Sequence, residues 1–164
     1  MAASRIHAPA AIDMATGTGS ILARQGHRLL QLGIALLLLA SVEGFFIPRL
    51  AAPRLGLSAH TLASLQSVLF LVLGLVWPRL RLSATLSRLA WWCLVYSGLA
   101  ILAAYLMAAW WGAGNETMPL AAGAAHGTAV QETAIRIIAY SSAPTGLVAF
   151  CLVLWGLRVE PSSQ

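Results

Sequence analysis

The stretch GLSAHTLASLQSVLFLVLGLVWPRL, residues 56–80, decides the fold. It carries no Asp, Glu, Lys or Arg from Gly56 to Pro78, and a helical crossing of the hydrocarbon core takes about 20 mostly apolar residues. Working outward, three further apolar runs of similar length lie near 29–47, 89–111 and 136–157. Pro48 and Pro53 interrupt the chain after the first run, Pro78 after the second, and Gly112, Gly114, Pro119 and Gly123 after the third. Ser58 stands where an N-cap for the second span is expected. The pattern predicts an all-α, integral membrane four-helix bundle embedded in the lipid bilayer.

Composition supports that class. Charged residues make up 9% of the 164 residues, against about 25% in soluble domains, and mean hydropathy is +0.80. The net charge of +5 comes from arginine alone. The arginines lie between apolar runs and form no stripe with interleaved aromatics, so nucleic acid is not an expected partner. Arg5, Arg24, Arg28, Arg79, Arg81, Arg88 and Arg158 fall on one side of a four-span topology, and Arg49, Arg54 and Arg136 on the other. The positive-inside rule then puts both termini in the cytoplasm. Residues 1–27, rich in Gly, Ala and Thr and weakly periodic, are expected to form a flexible or surface-lying cytoplasmic tail, 28–158 the four-span domain and 159–164 a short C-terminal tail. All six tryptophans lie near run ends, where an interfacial belt is expected. Cys93 and Cys151 fall inside apolar runs and read as small buried hydrophobes.

Polar side chains within spans are costly and tend to have a partner or a task. His60, in the second run, is the only histidine within a predicted span. It reads either as a neutral imidazole hydrogen-bonded to a neighbouring helix or as an axial ligand to haem iron, a single histidine leaving the sixth position open for substrate chemistry. Gln66 follows six residues later, about 120° around the helix and about 9 Å along it. The two share no face, so a common function requires a pocket between helices or subunits; the alternative for Gln66 is an interhelical hydrogen bond worth about 1 kcal/mol. Ser97 and Tyr105 lie on one stripe of the third run, and a phenol at the depth of Tyr105 needs a partner, either a backbone carbonyl or a substrate oxygen. Glu43, near a run end, could pair with Arg49, meet a headgroup or act as a buried carboxylate, and no role is assigned to it. Pro144 inside the fourth run predicts a kink, with Ser141 and Ser142 placed to satisfy freed carbonyls. Ala100, Ala104 and Ala108, with Ala40 and Gly44, form small-residue ridges for close helix packing, within one bundle or between subunits.

RLLQLGIALLLLA (28–40), APRLGLSAH (52–60), LVLGLVWPRL (71–80) and above all WGAGNETMPLAAGAAHGTAVQE (111–132) carry a resemblance. The chain resembles the bacterial hydroxylaminobenzene mutases over about residues 28–158, and more distantly is similar to the styrene oxide isomerases. The resemblance implies a multi-pass enzyme of the bacterial inner membrane that takes an aromatic hydroxylamine, moving the hydroxyl of hydroxylaminobenzene from nitrogen to the ortho carbon to give 2-aminophenol. The isomerase likeness further implies a homotrimer with haem b between subunits and His60 as its axial ligand. In the same likeness Gln66 faces the substrate where the isomerases have asparagine, and Tyr105 positions it. Ser97 stands where they have aspartate, so an acid or base role does not carry over there. A four-helix transporter or an epoxide isomerase are the competing expectations.

Overall fold

The computed structural model describes the backbone of residues 8–158 and the side chains of residues 18–158. Among these residues the structure is wholly helical: α1 (Ala8–Glu43), α2 (Pro53–Val76), α3 (Ala84–Trp111), the single turn α4 (Pro119–Ala122) and α5 (Ala129–Gly156), with 3₁₀ turns at Ile47–Arg49 and Trp77–Arg79. Four segments, Thr18–Glu43, Pro53–Arg79, Ala84–Trp111 and Ala129–Gly156, are long and apolar enough to cross a membrane. The protein is a multi-pass membrane protein. Its spans form two antiparallel pairs, α1 with α2 and α3 with α5, joined chiefly where α2 meets α3.

Local chemistry fixes the helix ends. Pro53 occupies the first turn of α2, where a missing N–H costs nothing because that donor has no intrahelical partner. The helix therefore starts before Ser58, which is no N-cap: its hydroxyl donates back to the Arg54 carbonyl at 3.0 Å. Ser83 caps α3 by accepting from the Leu86 amide, and Gly112 ends it in the left-handed region at φ +65°. Thr128 and Gln131 form a reciprocal capping box at the start of α5.

The expected tail boundary at residue 28 moves. The helix that begins α1 runs through residues 18–27, and Leu22 is buried in line with Leu29 and Leu36 at steps of seven. Gln25 is a polar knot at that end. Its side-chain oxygen accepts from the Trp77 indole at 3.1 Å and from the Ser87 hydroxyl, and its carbonyl accepts from the Trp91 indole at 3.2 Å. Residues 1–7 and 159–164, the outer parts of the two expected tails, lie outside the described residues. The same knot corrects the tryptophan belt: Trp77 is fully buried and Trp91 is 7% exposed, whereas Trp92, Trp110, Trp111 and Trp155 face outward. An indole whose N–H finds an internal acceptor need not seek the headgroup layer.

Close packing of α1 on α2 rests on glycine. A Cβ on Gly26 would meet the Gly74 carbonyl at 2.7 Å, and one on Gly74 would meet the Gly26 carbonyl at 2.9 Å. Two turns further along, a Cβ on Gly33 would meet the Ser67 carbonyl at 3.0 Å. Backbones in this contact gain dispersion energy that bulky side chains would forfeit in lipid. Gly74→Leu is expected to push the pair apart and lower stability by about 1–3 kcal/mol, read as a fall in melting temperature in detergent; an unchanged melt would show that the helices do not meet there. The ridge Ala100, Ala104 and Ala108 is buried, Ala104 and Ala108 in an apolar cluster with Ile135 and Ala139 of α5.

The segment between α3 and α5 is a folded cap. One Glu132 oxygen accepts from the amides of Gly114 (2.8 Å) and Gly127 (2.9 Å), and the other accepts from the Glu116 amide at 3.3 Å. Asn115 donates to the Gly123 carbonyl, and Arg136 pairs with Glu116 at 3.1 Å. Met118 and Ala122 pack down onto Leu55 of α2, and the Arg54 guanidinium donates to the Leu120 carbonyl at 3.4 Å.

Candidate functional site

His60 sits in the second turn of α2, half-buried, with its ring against α1. Its Nδ1 lies 3.0 Å from the Ala40 carbonyl. A carbonyl only accepts, so Nδ1 carries the proton and Nε2 keeps its lone pair. Gly44 packs beside the ring: a Cβ there would stand 3.5 Å from Cε1, in ordinary contact. An imidazole oriented through one nitrogen with the other left basic is the arrangement found in histidines that ligate metals. A histidine held in this way fits the haem that the family resemblance implies, and Nε2 of His60 is the atom that would ligate it.

Gln66 lies on the other flank of α2. Its carboxamide rests on Gly98 of α3, where an added Cβ would come within 2.2 Å of Nε2 and 2.9 Å of the buried Phe70 ring. It makes no hydrogen bond to another described residue, so the expectation of interhelical glue is not met by a bond of its own. Tyr105 faces the same flank, lining an open groove of about 410 Å³ with Ser58, Thr61, Leu62 and Leu65 of α2. Gln66 and Tyr105 thus belong to the seam between α2 and α3, and His60 to the seam between α1 and α2.

Ser97 is turned away from both. Its hydroxyl donates to the Ser142 carbonyl at 2.8 Å, and it is wedged against Gly146, where a Cβ would come within 2.6 Å of Oγ. This contact ties α3 to α5 beside Pro144, whose ring lacks the N–H that the Tyr140 carbonyl would otherwise receive. Thr145 contributes too, donating to the Ser141 and Ser142 carbonyls at 3.1 and 3.0 Å. The Ser141 and Ser142 hydroxyls donate to the carbonyls of Ile138 and Ala139 instead. Tyr96 shares a 2.7 Å hydrogen bond with Ser141, a second tie between α3 and α5.

Two carboxylates stand out beyond the expected residues. Glu132 organises the cap, and the spacing Thr128-x-x-Gln131 just before it marked the start of a helix there. Glu43 is 9% exposed, and neither of its oxygens has a hydrogen-bond partner. The contemplated pair with Arg49 is not formed.

Comparison with known proteins places this arrangement. The family model described as styrene oxide isomerase matches residues 25–158, and the chain belongs to that family. Two relatives from Ectopseudomonas oleovorans narrow it. The chain is 44% identical to hydroxylaminobenzene mutase HabB over 92% of each chain, and 31% identical to hydroxylaminobenzene mutase HabA over 76% of this chain and 93% of that one. No solved structure matches.

Proposed function

We propose that the protein is a hydroxylaminobenzene mutase that rearranges its substrate to 2-aminophenol. The observation that carries this reading is the 44% identity to a protein of that name along nearly the whole of both chains. In the reaction the N–O bond breaks and a C–O bond forms at the ortho carbon. The ring carbon gives up a proton and the nitrogen takes one, so substrate and product are isomers and no redox partner is consumed.

Ferric haem b, when bound, supplies a Lewis acid at the substrate oxygen. This chain's residues do the rest. Nε2 of His60 would hold the iron, and the Ala40 carbonyl fixes the ring's tautomer and angle. Gln66 and Tyr105 orient the aromatic hydroxylamine and the departing hydroxyl. Apolar walls exclude bulk water, which would otherwise capture the ring cation at other carbons. Ser97 acts at one remove, by holding α5 at its proline.

His60 and Tyr105 lie on different flanks of α2 within one chain, and this favours a site completed by a second copy, in a homotrimer with haem between subunits. The proposed setting is the bacterial inner membrane with both termini cytoplasmic, a reading supported by the arginine distribution. The family model favours a second reading, epoxide isomerisation.

The test is to supply detergent-purified protein with hydroxylaminobenzene and with styrene oxide while recording absorbance. Formation of 2-aminophenol with a substrate-dependent shift of a Soret band is expected. Turnover of the epoxide alone would replace the mutase reading. Gly98→Ala should crowd the Gln66 carboxamide out of its place, lowering turnover by about tenfold, the scale of roughly 1.4 kcal/mol in the transition state, and should lower the melting temperature too, because the same Cβ meets the buried Phe70 ring. Unchanged turnover would remove Gln66 from the site.

A further inference from the structure

A recess of about 240 Å³ opens between α1 and α3 at the end of the bundle where α1 begins its crossing. Arg24 and Arg28 of α1 and Arg88 of α3 line it, together with Gln25, Trp91 and Trp92. Its floor is fixed. Gln25 accepts from Trp77, Ser87 and Trp91, and the Trp91 and Trp92 rings meet edge to face with 4.9 Å between centroids. The walls carry three positive charges and no carboxylate. Among the described side chains the acids are Glu43, Glu116 and Glu132, and all three lie at the other end of the spans. Arg28 and Arg88 are exposed and have no hydrogen-bond partner among the described residues, and Arg24 commits only its Nε, to the Ser20 carbonyl at 3.4 Å.

Three guanidiniums around one recess repel one another, and an anion held among them removes that repulsion. The planar fork of each matches the oxygens of a phosphate, two N–H groups to two oxygens. Depth in the bilayer identifies the source of the anion. Arg28 directly precedes the apolar run 29–47 and Arg88 directly precedes the run 89–111, so the two guanidiniums stand level where the hydrocarbon begins. Lipid phosphates occupy that layer. Trp92, 64% exposed beside them, presents an amphipathic ring suited to the same layer. We propose that this recess binds the phosphate of an anionic phospholipid, held by Arg24, Arg28 and Arg88. The lipid then ties together two helix pairs that otherwise join chiefly where α2 meets α3. The site is distinct from the seams that hold His60, Gln66 and Tyr105, and it goes beyond the mutase reading without resting on it.

The experiment uses the full chain, purified in detergent and stripped of lipid, and follows its melting after addition of phosphatidylglycerol, of phosphatidylcholine or of inorganic phosphate. Phosphatidylglycerol is expected to raise the melting temperature by about 5 °C or more. Phosphatidylcholine, whose choline cancels the phosphate charge, and inorganic phosphate should each do little. From an equimolar mixture of the two lipids, wild type should retain phosphatidylglycerol about tenfold over phosphatidylcholine. The double variant Arg28→Gln/Arg88→Gln should lose both the gain and the preference. Arg79→Gln, which removes an exposed arginine at the same end of the bundle but outside the recess, should keep them. Equal stabilisation by the two lipids, or a gain that survives in the double variant, or one lost equally in Arg79→Gln, would overturn the proposal. Inorganic phosphate matching phosphatidylglycerol would overturn the lipid assignment in favour of a free anion. Should the double variant fail to fold, the single variants take its place, and an undiminished gain in both would overturn the site. No arm requires turnover, so failure of the mutase reading leaves the result standing.

Discussion

Glu132→Ala is expected to unfold the cap between α3 and α5 and to cost about 3 kcal/mol or more. Three backbone N–H groups, those of Gly114, Glu116 and Gly127, end on this one carboxylate. Removing it leaves donors whose individual desolvation penalties run about 1–3 kcal/mol. Gly114 stands at φ +105°, a conformation most residues avoid, so the loop has no easy alternative path along which to regroup. A fall of about 10 °C in melting temperature follows. Glu132→Gln should recover much of the loss, because its amide oxygen can keep the bonds from Gly114 and Gly127 and only the Glu116 amide then faces an N–H₂ group. Glu116→Ala makes the control: it removes the exposed pair with Arg136 and should cost no more than about 1 kcal/mol. Equal melts for Glu132→Ala and Glu116→Ala would mean that water replaces the carboxylate.

His60→Ala should abolish the Soret band and turnover together while leaving the fold standing. The structural loss is modest. Ala40's carbonyl keeps its helical bond from the Gly44 amide at 3.0 Å after the imidazole is gone, so no buried acceptor is orphaned. Free imidazole added to the variant should enter the space left by the ring and restore part of both signals. A full Soret band in His60→Ala would show that the haem is held elsewhere, and turnover without any band would move the chemistry onto Tyr105 and Gln66.

Hydropathy made the spans legible because each crossing must be long and apolar whatever its neighbours do. The N-terminal edge of α1 was harder, since ILARQGH reads as polar when each residue is scored alone. The staircase Leu22, Leu29, Leu36 shows that one face of that segment continues the buried stripe. Trp77 and Trp91 were misplaced for a related reason: a rule about where indoles sit at a bilayer cannot register that Gln25 waits inside to accept their N–H groups. At the site, the six-residue step from His60 to Gln66 already implied different faces, and the structure keeps them apart. What the linear pattern could not convey is direction. Ser97 and Tyr105 share a stripe eight residues long, yet Ser97 is spent on the Ser142 carbonyl of α5 and Tyr105 turns to α2. Glu43 was ambiguous for the same reason, because whether a carboxylate near a helix end reaches Arg49 or points inward depends on a rotation of a few tens of degrees.

The contacts of α1 with α2 form a measuring scale. Gly26 meets Gly74, Gly33 meets Ser67 and Ala40 meets His60, each step advancing seven residues along one helix and retreating seven along the other, the period at which two helices stay in phase. Fourteen residues of helix, about 21 Å, separate the glycine crossing from the imidazole, yet the crossing sets the height at which the Ala40 carbonyl arrives. Deleting one residue from α1 between Gly33 and Ala40 would leave the glycines interlocked and bring a different carbonyl, turned by about 100°, opposite His60. The position of the His60 ring is thus calibrated from the far end of the helix pair, and sequence changes at Gly26 or Gly74 reach the imidazole as much as the packing.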